Sequence, residues 1–272
     1  GNAASSLAGN AAAAGLKTYI FVPSRAPKGK VAQLMTFGAT VISVQGSYEE
    51  TFELSKQAIE KWGWYNRNAA INPYLSEGKK TVGLEIMEQL NWEVPDYIAI
   101  SVGDGCTIAG LWKGLKDLHA IGLIDRLPRL ISAQAEGCCP LNRAIETGEP
   151  WRPMEENTLA DSIAVGVPRN ADKALMAIRE SKGLVVNVSD QEIMAAQKLL
   201  GRTCGVFGEP AGVTGTAGLK KLCAQGKIAP DATVVSVVTG NGLKDVANAI
   251  AACGEPISIP SDMERLLTAF AE

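Results

Sequence analysis

The chain has 272 residues, of which 46% are hydrophobic and 20% charged, and its formal net charge is −3 at pH 7. These values exclude a disordered or strongly basic chain, and the lysines and arginines are too scattered to form a surface for nucleic acid. No apolar run approaches the ~20 residues that span a bilayer, so we expect a cytoplasmic protein without membrane contacts that binds small molecules.

Short β-branched runs alternate along the chain with amphipathic helical stretches. This alternation predicts a doubly wound α/β fold, in which helices cover both faces of a mostly parallel sheet. Helices are predicted at 30–37, at 48–62 and from Ser189, where a capping box begins a helix that ends at Gly201. The proline-containing segment 146–168 is predicted to be a long loop. The predicted strands are 18–22, 40–44, 96–102, 130–134, 184–188 and 233–238.

A break in periodicity before Asn72-Pro73-Tyr74 predicts a domain boundary. We therefore predict that residues 1–66 belong to a partial small domain and that residues 67–272 form a large cofactor-binding domain. The first residues have the pattern of a helix that is already under way. We accordingly expect a further segment before Gly1.

The cysteines and the single histidine predict no metal site. The six cysteines form no CxxC pair, and His119 is the only histidine in the sequence. Metal sites built from these residue types need closely spaced ligands, so reduced structural thiols are expected. The cysteines are Cys106, Cys138, Cys139, Cys204, Cys223 and Cys253.

A glycine-containing turn, Gly103 to Thr107, connects a predicted buried strand to a predicted helix. Such a turn places backbone N–H groups and the positive end of a helix at the carboxyl edge of a sheet, where phosphates bind. Glycines in such turns also allow close helix packing, so this loop alone leaves both interpretations open. A second strand runs into Thr239-Gly240-Asn241-Gly242. There the alternative is a type I′ turn with a surface Lys244–Asp245 pair.

Six segments together resemble the fold-type II pyridoxal-phosphate enzymes of the tryptophan synthase β-like superfamily, and threonine synthase most closely. They occur in the order seen in that family, which is more specific than any single loop. The segments are Gly1-Asn2-Ala3-Ala4, Asn72-Pro73-Tyr74, Glu77-Gly78-Lys79-Lys80-Thr81, Gly103 to Thr107, Glu209-Pro210-Ala211-Gly212, and Thr239 to Asp245.

The resemblance implies a cofactor, pyridoxal 5′-phosphate, and a role for seven residues. Asn2 would hydrogen-bond the 3′ oxygen of the cofactor, and the Thr239 hydroxyl would contact the pyridine nitrogen. Backbone amides of the loop after the buried strand would hold the cofactor phosphate. A neutral hydroxyl does not hold a proton on the ring nitrogen, so the cofactor is a milder electron sink. Such a cofactor suits elimination or replacement at the β or γ carbon of the amino acid. Members of the family are commonly dimers, so a homodimer is expected. The phosphate-holding residues would be Gly103, Asp104, Gly105, Cys106 and Thr107.

The sequence also departs from the family. The Schiff-base lysine of the family precedes the asparagine loop, and no residue here matches it, so the catalytic residue is unassigned. Around Asn72-Pro73, apolar residues stand where an arginine is expected to bind the phosphate of O-phosphohomoserine, and Asp104 stands where asparagine is common. These residues favour a different substrate for the enzyme. The apolar residues are Ala69, Ala70 and Leu75.

Three functions follow from these observations. The first is a threonine-synthase-like lyase that eliminates or replaces a side-chain group of an amino acid. The second is an ammonia-lyase or β-replacing synthase acting on an unphosphorylated amino acid. The third is a non-catalytic fragment or binding partner that lacks the cofactor lysine. Glu209-Pro210 is either a simple turn or a contact of the cofactor.

Overall fold

The computed structural model describes residues 2–270, which form two parallel β-sheets flanked by helices. The strands are β1 (Tyr19–Pro23), β2 (Thr40–Val44), β3 (Tyr97–Ser101), β4 (Arg129–Ala135), β5 (Leu184–Val188) and β6 (Val234–Ser236). The helices are α1 (Asn2–Ala13), α2 (Lys28–Thr36), α3 (Tyr48–Trp62), α4 (Pro73–Lys79), α5 (Thr81–Gln89), α6 (Cys106–Ala120), α7 (Pro140–Thr147), α8 (Ala171–Glu180), α9 (Asp190–Cys204), α10 (Pro210–Ala224), α11 (Val246–Cys253) and α12 (Met263–Phe270).

The smaller sheet consists of β1 and β2, which pair in parallel. Its strands pack with α1 and α2 around a small core of Ala8, Ile20, Val22, Leu34 and Ala39. This core is separate from those of the larger sheet. The division at residue 66 stays a prediction, although the two sheets lie on either side of it.

The larger sheet has the strand order β5-β4-β3-β6 and is parallel throughout. Alternate residues of β3 enter different cores, with Ile98 and Ile100 on the face of α6 and Ala99 on the face of α10. Because both faces are buried, the strands are nearly continuous apolar runs instead of alternating ones. The doubly wound α/β class predicted from the sequence is confirmed.

Helix α10 is fixed on the end of β3 that leads to the predicted phosphate loop. The backbone N–H of Gly215 donates to Ser101 Oγ at 3.0 Å. Glu209, which precedes α10, is thereby held at the carboxyl edge of the sheet, beside the loop that follows β6.

Helix α9 and the long loop differ from their predicted bounds, and β1, β3, β4, β6 and α2 differ from theirs by one or two residues at each end. Helix α9 begins with the predicted capping box, but it continues past Gly201 to Cys204 and ends at Gly205, whose φ is 66°. A glycine inside a helix costs only ~1 kcal/mol, whereas the left-handed cap position strongly favours glycine. The long loop begins after α7 and contains a short 3₁₀ helix, Asp161–Ile163.

Within residues 2–270, no helix is both long and apolar enough to cross a bilayer.

Candidate functional site

The two predicted loops follow neighbouring strands. Strand β6 pairs with β3 in parallel, with Ala99 opposite Ser236. The segments that follow them, Gly103 to Thr107 and Thr239 to Gly242, therefore leave the sheet at the same carboxyl edge. In open parallel sheets this edge is where ligands bind, so the arrangement meets the main geometric requirement of a shared cofactor site.

The loop after β3 accommodates an anion at the start of α6. Gly105 is the N-cap with φ of 81°, and no side chain in the described part of the chain caps the first turn. A Cβ at Gly103 would lie 2.9 Å from Ile163 Cα, and one at Gly105 would lie 2.6 Å from Ala174 Cβ. The backbone thus passes where side chains do not fit, and the uncapped amides suit the phosphate of pyridoxal 5′-phosphate.

Cys106 is a neutral thiol within this loop. Burial and the nearby Asp104 raise the pKa of Cys106 to about 11, although Lys79 and Lys173 act in the opposite direction. A thiol with such a pKa is protonated at neutral pH and is a weak nucleophile. The two lysines add positive charge near the start of α6, in agreement with a site for an anion.

The side chain of Asp104 is engaged by two protein donors. Its Oδ1 accepts the backbone N–H of Arg169 at 3.1 Å, and its Oδ2 accepts the hydroxyl of Tyr48 at 3.2 Å. Desolvation raises the pKa of Asp104, and the contacts with Arg169 and Tyr48 only partly offset it. The carboxylate therefore joins the loop to α3, a role that the sequence did not indicate.

We expect Asp104→Asn to stabilise the protein at neutral pH, because the folded-state pKa of Asp104 is raised. A carboxyl with a raised pKa favours folding below its unfolded pKa of ~3.9, and this contribution is lost as pH rises through the folded pKa. Asparagine stays neutral and keeps the acceptor for Arg169. Urea unfolding at neutral pH and below pH ~4 measures the difference. The gain should shrink in acid, and an Asn variant that is less stable at both pH values contradicts this account.

A buried network surrounds Asn2 at the same edge of the sheet. Asn2 Nδ2 donates to Glu209 Oε1 at 2.7 Å, and Lys244 Nζ donates to Asn2 Oδ1 at 2.7 Å. Lys30 Nζ lies 3.0 Å from Glu209 Oε2 and also donates to Ser162 Oγ at 2.8 Å. The side chains of Lys30 and Glu209 are 2% and 1% exposed. Of the two alternatives for Glu209, the simple turn is thus insufficient.

The loop after β6 contacts this network. Glu209 N donates to Gly240 O at 2.9 Å, and a Cβ at Gly240 would overlap the Glu209 carboxylate. Thr239 is exposed at this edge. The alternative turn is not formed, because Asn241 has φ of −73° and precedes a 3₁₀ helix, whereas a type I′ turn needs positive φ. The Lys244–Asp245 pair is replaced by separate contacts to Asn2 and Asn248.

The loop before α4 holds an arginine that the sequence analysis missed. The Nη1 of Arg67 is buried and has no hydrogen-bond partner among residues 2–270. Ala70, three residues later, has φ of 61°, and its backbone N–H lies near the thiol of Cys106, whose pKa it lowers. This contact places the Arg67 loop against the start of α6. Asparagine side chains brace the loop, with Asn68 bonded to Ser55 and Asn72 to Tyr65.

Comparison with known proteins agrees with this geometry. A family model described as "Pyridoxal-phosphate dependent enzyme" matches residues 1–240. Threonine synthase of Methanosarcina acetivorans is 41% identical over 273 residues, which cover 99% of this chain and 67% of that protein. Threonine synthase of Methanocaldococcus jannaschii is 42% identical over 271 residues, covering 98% and 66%. The structure of maize serine racemase, at 24% identity and a TM-score of 0.76, covers 93% of this chain and 74% of its own and shares the fold.

These matches confirm the resemblance inferred from the sequence and the cofactor that it implied. The chain spans about two thirds of the length of the two threonine synthases, at 67% and 66%. It is an enzyme of β/γ-elimination or replacement chemistry like theirs. The chain belongs to the pyridoxal-phosphate-dependent enzymes and is of the threonine-synthase type.

Proposed function

We propose that this chain supplies the cofactor cradle and substrate loop of a cytoplasmic threonine synthase that acts on O-phosphohomoserine, a phosphorylated amino acid. The carrying observation is that the uncapped start of α6, the loop after β6 and the buried Asn2 network share one edge of the sheet. Assembly as a homodimer is part of the proposal.

Each candidate residue has a separate task in this proposal. When bound, pyridoxal 5′-phosphate supplies the electron sink for bonds of the attached amino acid. The amides of Gly103, Asp104, Gly105, Cys106 and Thr107 hold its phosphate, and Asn2 bonds its 3′ oxygen. The Thr239 hydroxyl meets the pyridine nitrogen and, being neutral, does not keep a proton there. No lysine of this chain is assigned to move the proton at the substrate's α carbon.

The contacts of Asp104 and the position of Arg67 favour a phosphorylated substrate. The sequence suggested that Asp104 repels a phosphorylated substrate and that no arginine is available to bind it. The carboxylate of Asp104 is instead held by Tyr48 and Arg169, and Arg67 lies in the loop that contacts Cys106. An unpaired buried guanidinium N–H is costly, so an anionic partner is favoured.

We expect Arg67→Ala to raise the KM for O-phosphohomoserine while leaving affinity for pyridoxal 5′-phosphate nearly unchanged. A charge-assisted contact is worth ~1.5–3 kcal/mol, which corresponds to roughly a tenfold to hundredfold change. Steady-state kinetics and a cofactor titration, both on the full natural polypeptide, measure the two quantities. Arg152→Ala is the control, because that side chain is 82% exposed. Equal KM values for the two variants would remove Arg67 from the substrate site.

The second candidate function is an ammonia-lyase or β-replacing reaction on an unphosphorylated amino acid. The apolar Ala69, Ala70 and Leu75 favour it, because they offer no charge to a phosphate. A substrate panel on the full natural polypeptide decides between the two. Threonine and phosphate release from O-phosphohomoserine supports the first function. Turnover of serine or threonine to ammonia, with none from O-phosphohomoserine, overturns it.

A further inference from the structure

The side-chain amide of Asn2 lies between two groups of opposite charge. The Glu209 carboxylate accepts from Asn2 Nδ2 at 2.7 Å, and the Lys244 ammonium donates to Asn2 Oδ1 at 2.7 Å. A carboxylate only accepts hydrogen bonds and an ammonium only donates them. Exchange of the amide N and O would therefore place oxygen against carboxylate and N–H₂ against ammonium. The two neighbours together select one orientation of the amide.

Among residues 2–270, this orientation leaves one hydrogen of Nδ2 without an acceptor. The amide nitrogen carries two hydrogens, and the Glu209 contact uses one of them. Lys30 binds the other carboxylate oxygen, Oε2, at 3.0 Å, and so opposes rotation of Glu209 away from Asn2. The same carboxylate packs against Gly240, directly after Thr239. Asn2 is thus linked through Glu209 to the segment of Thr239, the residue that the proposed function assigns to the cofactor ring.

We propose that Glu209 and Lys244 are positioning residues that set the amide of Asn2, so that its second N–H is reserved for the 3′ oxygen of the cofactor. Lys30 acts one contact further away by fixing Glu209. This inference rests on the proposed function, because it needs pyridoxal 5′-phosphate to bind at this edge. It gives Lys244, which the sequence analysis named only in a possible surface pair with Asp245, a role in orienting the ligand.

Glu209→Gln tests the orientation directly. The glutamine oxygen is drawn to the Lys30 ammonium, so its N–H₂ group faces Asn2 and opposes the native amide orientation. Titration of the full natural polypeptide with pyridoxal 5′-phosphate should show a Kd weakened about tenfold, the effect of one charge-assisted hydrogen bond. The absorption spectrum of the bound cofactor should also change, because ionisation of the 3′ oxygen depends on its hydrogen-bond donor.

A double-mutant cycle separates positioning from general damage. If Glu209 acts through Asn2, then Glu209→Gln has no further effect on cofactor Kd in an Asn2→Ala background. Lys244→Met, at a half-exposed position, provides the same test if Glu209→Gln does not fold, and the exposed Lys227→Met is its control. The inference is overturned if the losses of cofactor affinity in Glu209→Gln and Asn2→Ala add in the double variant. It is also overturned if Glu209→Gln and Lys244→Met both keep the wild-type Kd. A wild-type chain that binds no cofactor would instead overturn the proposed function.

Discussion

Gly105→Ala is expected to abolish measurable binding of pyridoxal 5′-phosphate. Gly105 has φ of 81°, and an added Cβ would lie 2.6 Å from Ala174 Cβ and 3.1 Å from Asn170 O. The left-handed conformation costs a non-glycine residue ~1–2 kcal/mol, and overpacking a tight contact adds ~1–3 kcal/mol. Relief of this overlap requires movement of the start of α6, where the proposed phosphate donors are. Cofactor titration and urea unfolding measure the two consequences.

The matched control is Gly122→Ala, which lies beyond the other end of α6. Gly122 has φ of 77°, but no atom lies within 4 Å of its added Cβ. This variant should lose ~1–2 kcal/mol of folding free energy from backbone strain alone and should bind the cofactor normally. Normal cofactor binding by Gly105→Ala would mean that the phosphate sits elsewhere.

The sequence predicted the fold closely because burial and local signals agree in its interior. Strands β2 and β5 and helix α3 have the predicted bounds. For α3, a capping box at Ser47 and the left-handed Gly63 mark both ends. Such elements are specified by nearby residues, so a single sequence is sufficient to place them.

Prediction was poorer where the chain turns toward the site. Strand β6 was predicted at 233–238 but is Val234–Ser236. Within residues 2–270 it is an edge strand that pairs with β3 alone. Val237 N–H still donates to Ala99 O at 2.9 Å, and the chain beyond it turns to the segment before α10, where Gly208 bridges Asn241. The β-branched sequence pattern therefore extends beyond the last residue of the strand.

The buried network could not be predicted from local pattern. Lys30 and Leu34 are the buried residues of α2, and a lysine on that face gives no indication of its partner. Its contact Asp161 is 131 residues away, and Asn2 is 207 residues from Glu209. The family resemblance identified Asn2 and left Glu209 open. Only the three-dimensional arrangement connects both to Lys30 and Lys244.

Lys30→Ala is expected to destabilise the protein by about 3–5 kcal/mol, which is the cost of removing one partner of a buried ion pair. In a site that is 1% exposed, the Oε2 of Glu209 would lose the ammonium that lies 3.0 Å away. Asp161 and Ser162 would lose the same partner. Because Lys30 lies on α2 and its partners lie beside the larger sheet, loss of packing between the two parts adds to the effect. Urea unfolding measures the free energy.

Two further variants identify the cause of this loss. Lys80→Ala removes a lysine whose side chain is 28% exposed and which pairs with Glu77 and Asp117 at the surface, so a cost of ~0–1 kcal/mol is expected. The double variant Lys30→Met/Glu209→Leu removes both charges and should recover much of the stability lost in Lys30→Ala, because apolar side chains of similar size need no partner. If Lys30→Ala costs no more than Lys80→Ala, water reaches the Glu209 carboxylate, and the rigid support inferred for Asn2 is absent.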